Sequence, residues 1–121
     1  MVKNINLIKI VNCKNNIYDF DDKLNLSHTL FIKNCSNINI FISSKINKII
    51  VENSTFVNLN IFQVISGIEI NKSKVIINPM LDYSIPIIEL FKSSIYLVGD
   101  INKYLDLLIL SEYSNIFNVT V

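Results

Sequence analysis

The sequence contains no arginine, alanine or tryptophan, and it has only two glycines, two prolines, two cysteines and one histidine. The absence of arginine argues against GTPase stimulation through an arginine finger, because that role needs a permanently charged bidentate guanidinium. Two cysteines are too few for the disulfide framework of a small secreted domain. The absence of alanine disfavours helices, since alanine is the strongest helix former. A strand-rich core without disulfides is therefore expected.

Charge of either sign is also scarce, with a formal net charge of +1 on 121 residues. Such a chain has no broad field for recruiting nucleic acid or an anionic membrane surface. No apolar run is long enough to span a bilayer, and the N-terminus lacks the apolar run and cleavage site of a signal peptide. We therefore expect one domain, residues 1–121, in the cytoplasm, with neither nucleic acid nor membrane as partner.

A short phrase of alternating apolar residues, closed by a polar and a small residue, recurs about every 19 to 22 residues. A fixed period of this length, rich in β-branched residues, is typical of a β-solenoid in which each repeat forms one coil. The sequence therefore predicts an all-β, parallel β-helix of about six coils. The copies are Ile8–Cys13, Leu30–Cys35, Ile49–Ser54, Ile68–Ser73, Ile88–Ser93 and a looser Leu108–Ser114.

Within each phrase, residues two apart face the same side of a strand, so the alternating apolar residues predict an inward ladder. A second apolar strand follows the small residue, for example at Ile38, Ile40 and Ile42. The small residue would lie inside a sharp corner between the two strands. The residue before it is often asparagine, which tolerates left-handed backbone and can bond to neighbouring coils through its amide.

Three segments interrupt the pattern. The acidic run Asp19–Lys23 predicts a surface loop, and Pro79 and Pro86 are expected to bracket another, because proline cannot donate to a central ladder. The segment Ile101–Leu108 has some helical periodicity, but its position in the repeat favours strand and connection over helix.

Two stretches resemble the C-terminal domain of cyclase-associated proteins. Leu30–Cys35 followed by Ser44–Asn53 resembles the family's pattern of a lysine and cysteine followed by Gly-Lys-Ile-Asn-Ser-Ile-x-Val-Asp-Asn-Cys. Val64–Ser73 resembles its Val-Val-Gly-Ile-Val-Glu-Ile-Ile-Asn-Ser. Their order and spacing agree across most of the chain, although Ser44 stands for a glycine and Ser54 for a cysteine.

The resemblance implies a right-handed parallel β-helix that binds monomeric actin, prefers its ADP-loaded form and promotes nucleotide exchange, or else sequesters monomers. It implies no enzymatic activity and no cofactor. It also implies a short form like that of some protozoan parasites, which keep only the β-helix. Family members dimerise by exchanging a terminal strand pair, and this chain stops at Asn118–Val121, so homodimerisation stays open.

Exposed polar groups on neighbouring coils are the candidate actin-binding residues, because an exchange factor of this kind acts by binding and needs no catalytic group. Any one of them could equally serve solubility or block edge pairing. The candidates are Lys33, Asn34, Lys45, Asn47, Lys48, Glu52 and Asn53.

Other functions stay open as alternatives. A tubulin-cofactor-C-like domain acting on a small GTPase or tubulin shares the solenoid, but that role conflicts with the missing arginine. A polysaccharide-cleaving β-helix would need clustered carboxylates beyond Asp19, Asp21 and Asp22. A structural solenoid could also self-assemble end to end. His28 has no partner at ligand spacing, and no metal site is predicted.

Overall fold

The solenoid predicted from the repeat is present in the computed structural model, which describes residues 6–120. These residues form two parallel six-stranded sheets, and each of six coils contributes one strand to each sheet. The first sheet contains, in spatial order, β1 (Asn6–Val11), β3 (His28–Lys33), β5 (Lys48–Glu52), β7 (Ile68–Asn71), β9 (Ile87–Phe91) and β11 (Leu108–Glu112). The second contains β2 (Lys14–Asp21), β4 (Ser36–Ile46), β6 (Thr55–Val64), β8 (Lys74–Ser84), β10 (Ser94–Val98) and β12 (Asn115–Val119).

The core is the aliphatic ladder between the two sheets. Leu30, Ile49, Ile68 and Ile88 are stacked in register across the first sheet, and each is almost completely buried. The second strands face them with an equivalent ladder, including the predicted Ile38, Ile40 and Ile42. Each fully buried aliphatic side chain contributes about 1.5–3 kcal/mol to folding. The predicted inward pattern is confirmed; the inward Ile8 is only partly buried, because it lies in a terminal coil.

The corner between the two strands of a coil depends on a residue in left-handed backbone. Its φ is +58° at Asn12, +54° at Asn34 and +47° at Asn53, and the next two coils place Lys72 and Lys92 there at +49° each. The backbone amide of each of these residues donates to a carbonyl of the next coil. The three asparagines that were expected to tolerate left-handed backbone therefore adopt it.

Bonds between asparagine amides on neighbouring coils occur at positions other than this corner column. Asn60 Nδ2 donates to Asn39 Oδ1 at 3.0 Å, and Asn78 Nδ2 donates to Asn60 Oδ1 at 2.9 Å. This amide ladder lies on the second sheet and ties three successive coils together.

The acidic loop prediction was wrong for its first three residues. Asp19 to Asp21 continue β2, pair with β4, and carry a register shift, so the irregularity is a bulge at the end of a strand. Because β4 is long, β2 stays paired with it as far as Asp21, although these last residues of β2 are mostly acidic.

The predicted loop between Pro79 and Pro86 was also wrong for most of its length, because β8 continues to Ser84. Pro79 lies within β8 and pairs with Ile61 of β6. Pairing of β8 with β10 has already ended at Ile77, so the missing proline N–H removes no bond on that side. Pro86 does lie in a connection between strands.

The segment favoured as strand begins with a 3₁₀ helix, Ile101–Tyr104, so that prediction was wrong for its first half. The Asp100 side chain caps this helix by accepting the amide of Asn102 at 2.9 Å. Tyr104 is buried and its hydroxyl donates to the Val98 carbonyl. Local capping and burial of one aromatic ring therefore decide the conformation. No helix formed by residues 6–120 is long and apolar enough to cross a membrane.

Candidate functional site

The side chains of the first sheet that point away from the core form the candidate site, which we call the outer face. It exists because inward and outward positions alternate along every strand of the sheet. Its members include Lys9, Val11, Phe31, Lys33, Lys48, Ile50, Glu52, Glu69, Asn71, Glu89, Phe91, Leu110 and Glu112.

Charge divides this outer face into two halves. All four glutamates of the sequence lie on it, and three of them, Glu69, Glu89 and Glu112, belong to the last three coils. The first three coils present Lys9, Lys33 and Lys48, with Glu52 as their one glutamate. The halves meet where Lys48 Nζ lies 2.8 Å from Glu69 Oε1. This pair is about one-third exposed, so it stabilises the fold by no more than about 1 kcal/mol. The face is therefore polarised along the solenoid axis.

The acidic half contains a shallow groove of about 730 Å³. Its walls carry Glu69, Glu89 and Glu112, while Phe91 and Leu110 add apolar surface. Phe91 packs edge-on against Tyr113, with ring centroids 6.4 Å apart. The groove thus combines negative charge with an apolar floor, and it is open rather than enclosing.

Four of the seven predicted residues come together at the corner end of the outer face. Lys33 and Glu52 are direct register partners on β3 and β5. Asn34 and Asn53 follow them at the left-handed corner, and both are exposed. These four residues form a compact polar group across the second and third coils.

The other three predicted residues lie at the opposite end of these strands. Lys48 shares the outer face but begins β5, about 13 Å along the strand from Glu52. Lys45 lies on β4, opposite Gln63, and so belongs to the other sheet.

The Asn47 side chain is already occupied by contacts between coils. Its Nδ2 donates to Thr29 Oγ1 at 3.2 Å, and its Oδ1 accepts from Ser66 Oγ at 2.7 Å. Asn47 therefore holds three coils in register, which is a structural role.

The candidate list missed the acidic half of the outer face. The signal was present, because the second position of the repeated phrase points outward in each coil. That position reads Lys9, Phe31, Ile50, Glu69 and Glu89 in the first five coils. Reading this column through the whole repeat would have identified Glu69 and Glu89.

The remaining reactive side chains have structural contacts. His28 Nδ1 accepts the Asn25 amide at 2.9 Å in the turn before β3. Cys13 and Cys35 are free thiols, as expected for corner residues, and burial raises the pKa of Cys35. Within residues 6–120, no three His, Cys, Asp or Glu side chains come together as a metal-binding group.

Comparison with known proteins gives one clear match. A model of the adenylate cyclase associated (CAP) C-terminal family matches residues 8–121, which include strands of all six coils. A search of the curated proteins found no match. Because the family match extends over nearly the whole chain, this protein belongs to the adenylate cyclase associated (CAP) C-terminal family, the actin-binding domain of CAP proteins.

Proposed function

We propose that this protein binds monomeric actin through the outer face of its first sheet. The family match over all six coils is the observation that carries the proposal, because it covers the complete surface and not a single motif. The face itself supports the choice of surface. It is broad, and it mixes charged groups with the partly exposed Phe31, Ile50 and Phe91, as protein interfaces do.

The two charged halves would set the orientation of the partner. Complementary potentials guide association and fix register, and like charges brought together cost several kcal/mol in a wrong orientation. Lys33 and Glu52 lie near the boundary between the halves, and the acidic groove lies beyond it. The corner group predicted from sequence therefore adjoins the groove that sequence reasoning missed.

The action on actin follows from binding alone. If the outer face binds an open-cleft conformation of ADP-actin more tightly than a closed one, it increases the population of the open form and speeds nucleotide release. No residue of this chain needs to perform chemistry, so we propose a non-enzymatic regulator of actin turnover in the cytoplasm, without a cofactor. Sequestration would result from equal affinity for both conformations.

Binding is tested by titrating actin monomers with the wild type and a Glu89→Lys/Glu112→Lys variant. Reversing two charges in the groove should weaken binding at least about tenfold, which corresponds to about 1.4 kcal/mol. The control is Asp22→Lys/Asp106→Lys, which changes the net charge equally at exposed positions outside the first sheet. Absence of a complex with the wild type would refute actin binding, whereas equal losses in both variants would refute this surface.

The exchange step is tested separately by the release rate of a fluorescent ADP analogue from actin. A Lys33→Ala/Lys48→Ala variant removes two outer-face lysines, and Lys45→Ala removes one on the other sheet. We expect the wild type to accelerate release, the double variant to lose that effect, and Lys45→Ala to keep it. Binding without acceleration would leave sequestration as the activity.

A further inference from the structure

Three lysines lie at the corner between the fourth and fifth coils, at the edge of the outer face. Lys72 and Lys92 occupy the left-handed corner position on these coils, and Lys74 begins β8. All three are exposed, and they line a concavity of about 320 Å³ that we call the corner pocket. The rest of its lining consists of residues with hydroxyl or amide groups, and Thr55, Ser94, Tyr113 and Asn115 are among them.

The positive charge of the corner pocket is not neutralised by the described part of the chain. No carboxylate contributes to its lining, and within residues 6–120 none of the three lysines forms a salt bridge. The pocket thus carries three positive charges on a protein whose formal net charge is only +1. Such local concentration of like charge is unfavourable without an anion to balance it.

Two of the ammonium groups lie over aromatic rings just outside the pocket lining. Lys74 Nζ lies 5.9 Å from the ring centroid of Phe56, and Lys92 Nζ lies 5.3 Å from that of Phe91. Contacts of this kind are attractive and restrict long, flexible side chains. The lysines are therefore partly positioned before any ligand binds.

The backbone at Lys72 and Lys92 gives an independent indication that lysine has a role there. The three preceding coils place asparagine in the same left-handed position, and asparagine tolerates that conformation best after glycine. Lysine, like Tyr113 at the same position of the sixth coil, is less favourable in left-handed backbone than asparagine. Backbone strain of this kind persists where function requires the side chain.

A change in coil length places an aromatic ring beside Lys74. The first three coils contain an additional residue in left-handed backbone just after the corner, and Phe56 is the last of these. In the fourth coil Lys74 is followed directly by Val75, opposite Val57, so the additional residue is missing. The Phe56 ring consequently lies beside Lys74, outside the pocket lining.

We propose that the corner pocket binds an anion carrying two or more phosphate groups. Three ammonium groups with hydroxyl and amide donors around one small concavity match a ligand with many acceptor oxygens and several charges close together. A carboxylate brings one charge and two oxygens, and successive side chains on the same side of an extended acidic peptide are about 7 Å apart. A polyphosphate and a phosphorylated lipid headgroup both carry several phosphate groups close together, so both match the corner pocket. This proposal does not depend on actin binding.

The test uses the variant Lys72→Asn/Lys92→Asn, which introduces the residue found at the same position of the first three coils and so removes two charges without adding backbone strain. This variant should lose at least about tenfold in affinity for inorganic tripolyphosphate, measured by calorimetry, while its Tm stays equal to or above that of the wild type. A Lys14→Asn/Lys23→Asn control removes the same charge elsewhere and should bind tripolyphosphate like the wild type.

Three outcomes would overturn the proposal: no tripolyphosphate binding by the wild type, equal losses in both variants, or equally tight binding of hexaglutamate. Two arms separate the phosphate sources. Binding to phosphatidylinositol-bisphosphate vesicles above that to phosphatidylserine vesicles assigns a lipid headgroup, whereas tripolyphosphate binding without vesicle binding assigns a free polyphosphate.

Discussion

A ladder of buried hydroxyl groups follows the corner of the solenoid. Ser73 Oγ accepts the backbone amide of Ser54 at 3.0 Å and donates to the Asn71 carbonyl at 2.8 Å. Ser54 and Ser93 repeat both contacts in neighbouring coils. A small residue at this corner is thus also the hydrogen-bond partner of the coil before it.

Removing one of these hydroxyls should lower the free energy of unfolding. Ser73→Ala leaves the buried amide of Ser54 without a partner, so we expect a loss of about 1–3 kcal/mol in the free energy of unfolding. Ser114→Ala makes the same change in the last coil, where water can satisfy the Ser93 amide, and should cost less. Urea unfolding of both variants measures the difference, and equal losses would contradict the burial argument.

Tyr104 should make stability depend on alkaline pH. Burial, followed by the charge of Tyr83, raises the pKa of Tyr104 from 10.0 to about 12. Because the folded-state pKa is the higher one, its stabilising effect is complete below pH 10 and disappears as the pH rises through 12. The loss reaches about 1.4 kcal/mol by pH 11.

A Tyr104→Phe variant isolates that titration. At pH 8 it should be less stable than the wild type by about 0.5–1.5 kcal/mol, because it lacks the hydrogen bond to the Val98 carbonyl. At pH 11 the gap should nearly close, since phenylalanine has no proton to lose. Unfolding free energies at both pH values test this, and a constant gap would show that Tyr104 does not titrate as described.

At the scale of the strands, the connection between β6 and β7 contains a position where only glycine fits. Gly67 has a φ of +93°, and a Cβ there would lie 2.5 Å from the Ile87 carbonyl oxygen of the next coil. Gly99 has a similar φ of +105°, but its Cβ would meet only the flexible Lys103 side chain at 3.2 Å. The two glycines share the backbone requirement and differ in coil packing.

Alanine at these two glycines should separate backbone strain from coil packing. Both variants should be destabilised, because left-handed backbone costs about 1–2 kcal/mol for a residue with a Cβ. Gly67→Ala should lose at least about 1 kcal/mol more, since backbone of the next coil has to move. Thermal and urea unfolding measure both; similar losses would mean that the coils adjust freely at Ile87.

The strands of this fold were largely predictable because each coil repeats the same sequence pattern. The alternation at Ile49 and Val51, and the small residue that follows, specify a strand and a corner in one phrase. Errors arose where stacking on a neighbouring coil decided the conformation, as in the pairing of Asp19 with β4, or where local capping did, as at Asp100.

The candidate site was less predictable, because its residues come together through register between coils. Lys33 and Glu52 are neighbours only because β3 and β5 pair in one particular alignment. The amide of Asn47 could not be recognised as structural without its partners on Thr29 and Ser66. A sequence pattern gives the direction of a side chain, whereas its neighbours depend on the stacked coils.

At the scale of the whole molecule, each coil contacts mainly the coils before and after it. Stability in such a solenoid is approximately a sum of coil and interface terms. The central coils bury their inward residues completely, as at Leu59 and Ile77, whereas β2 and β12 are mostly exposed. Each of these outer strands pairs on one side only within the described residues.

This arrangement predicts a gradient of local stability along the axis. Hydrogen-bonded amides of β4, β6 and β8 should exchange with solvent most slowly, because opening them requires loss of pairing on both sides. Bonded amides of β2 and β12 should exchange at least about tenfold faster, since an end coil can separate while the others stay stacked. Native-state hydrogen exchange followed by NMR measures both groups. If their rates coincide under conditions of full stability, the solenoid opens only as one cooperative unit, and the additive description of its coils is wrong.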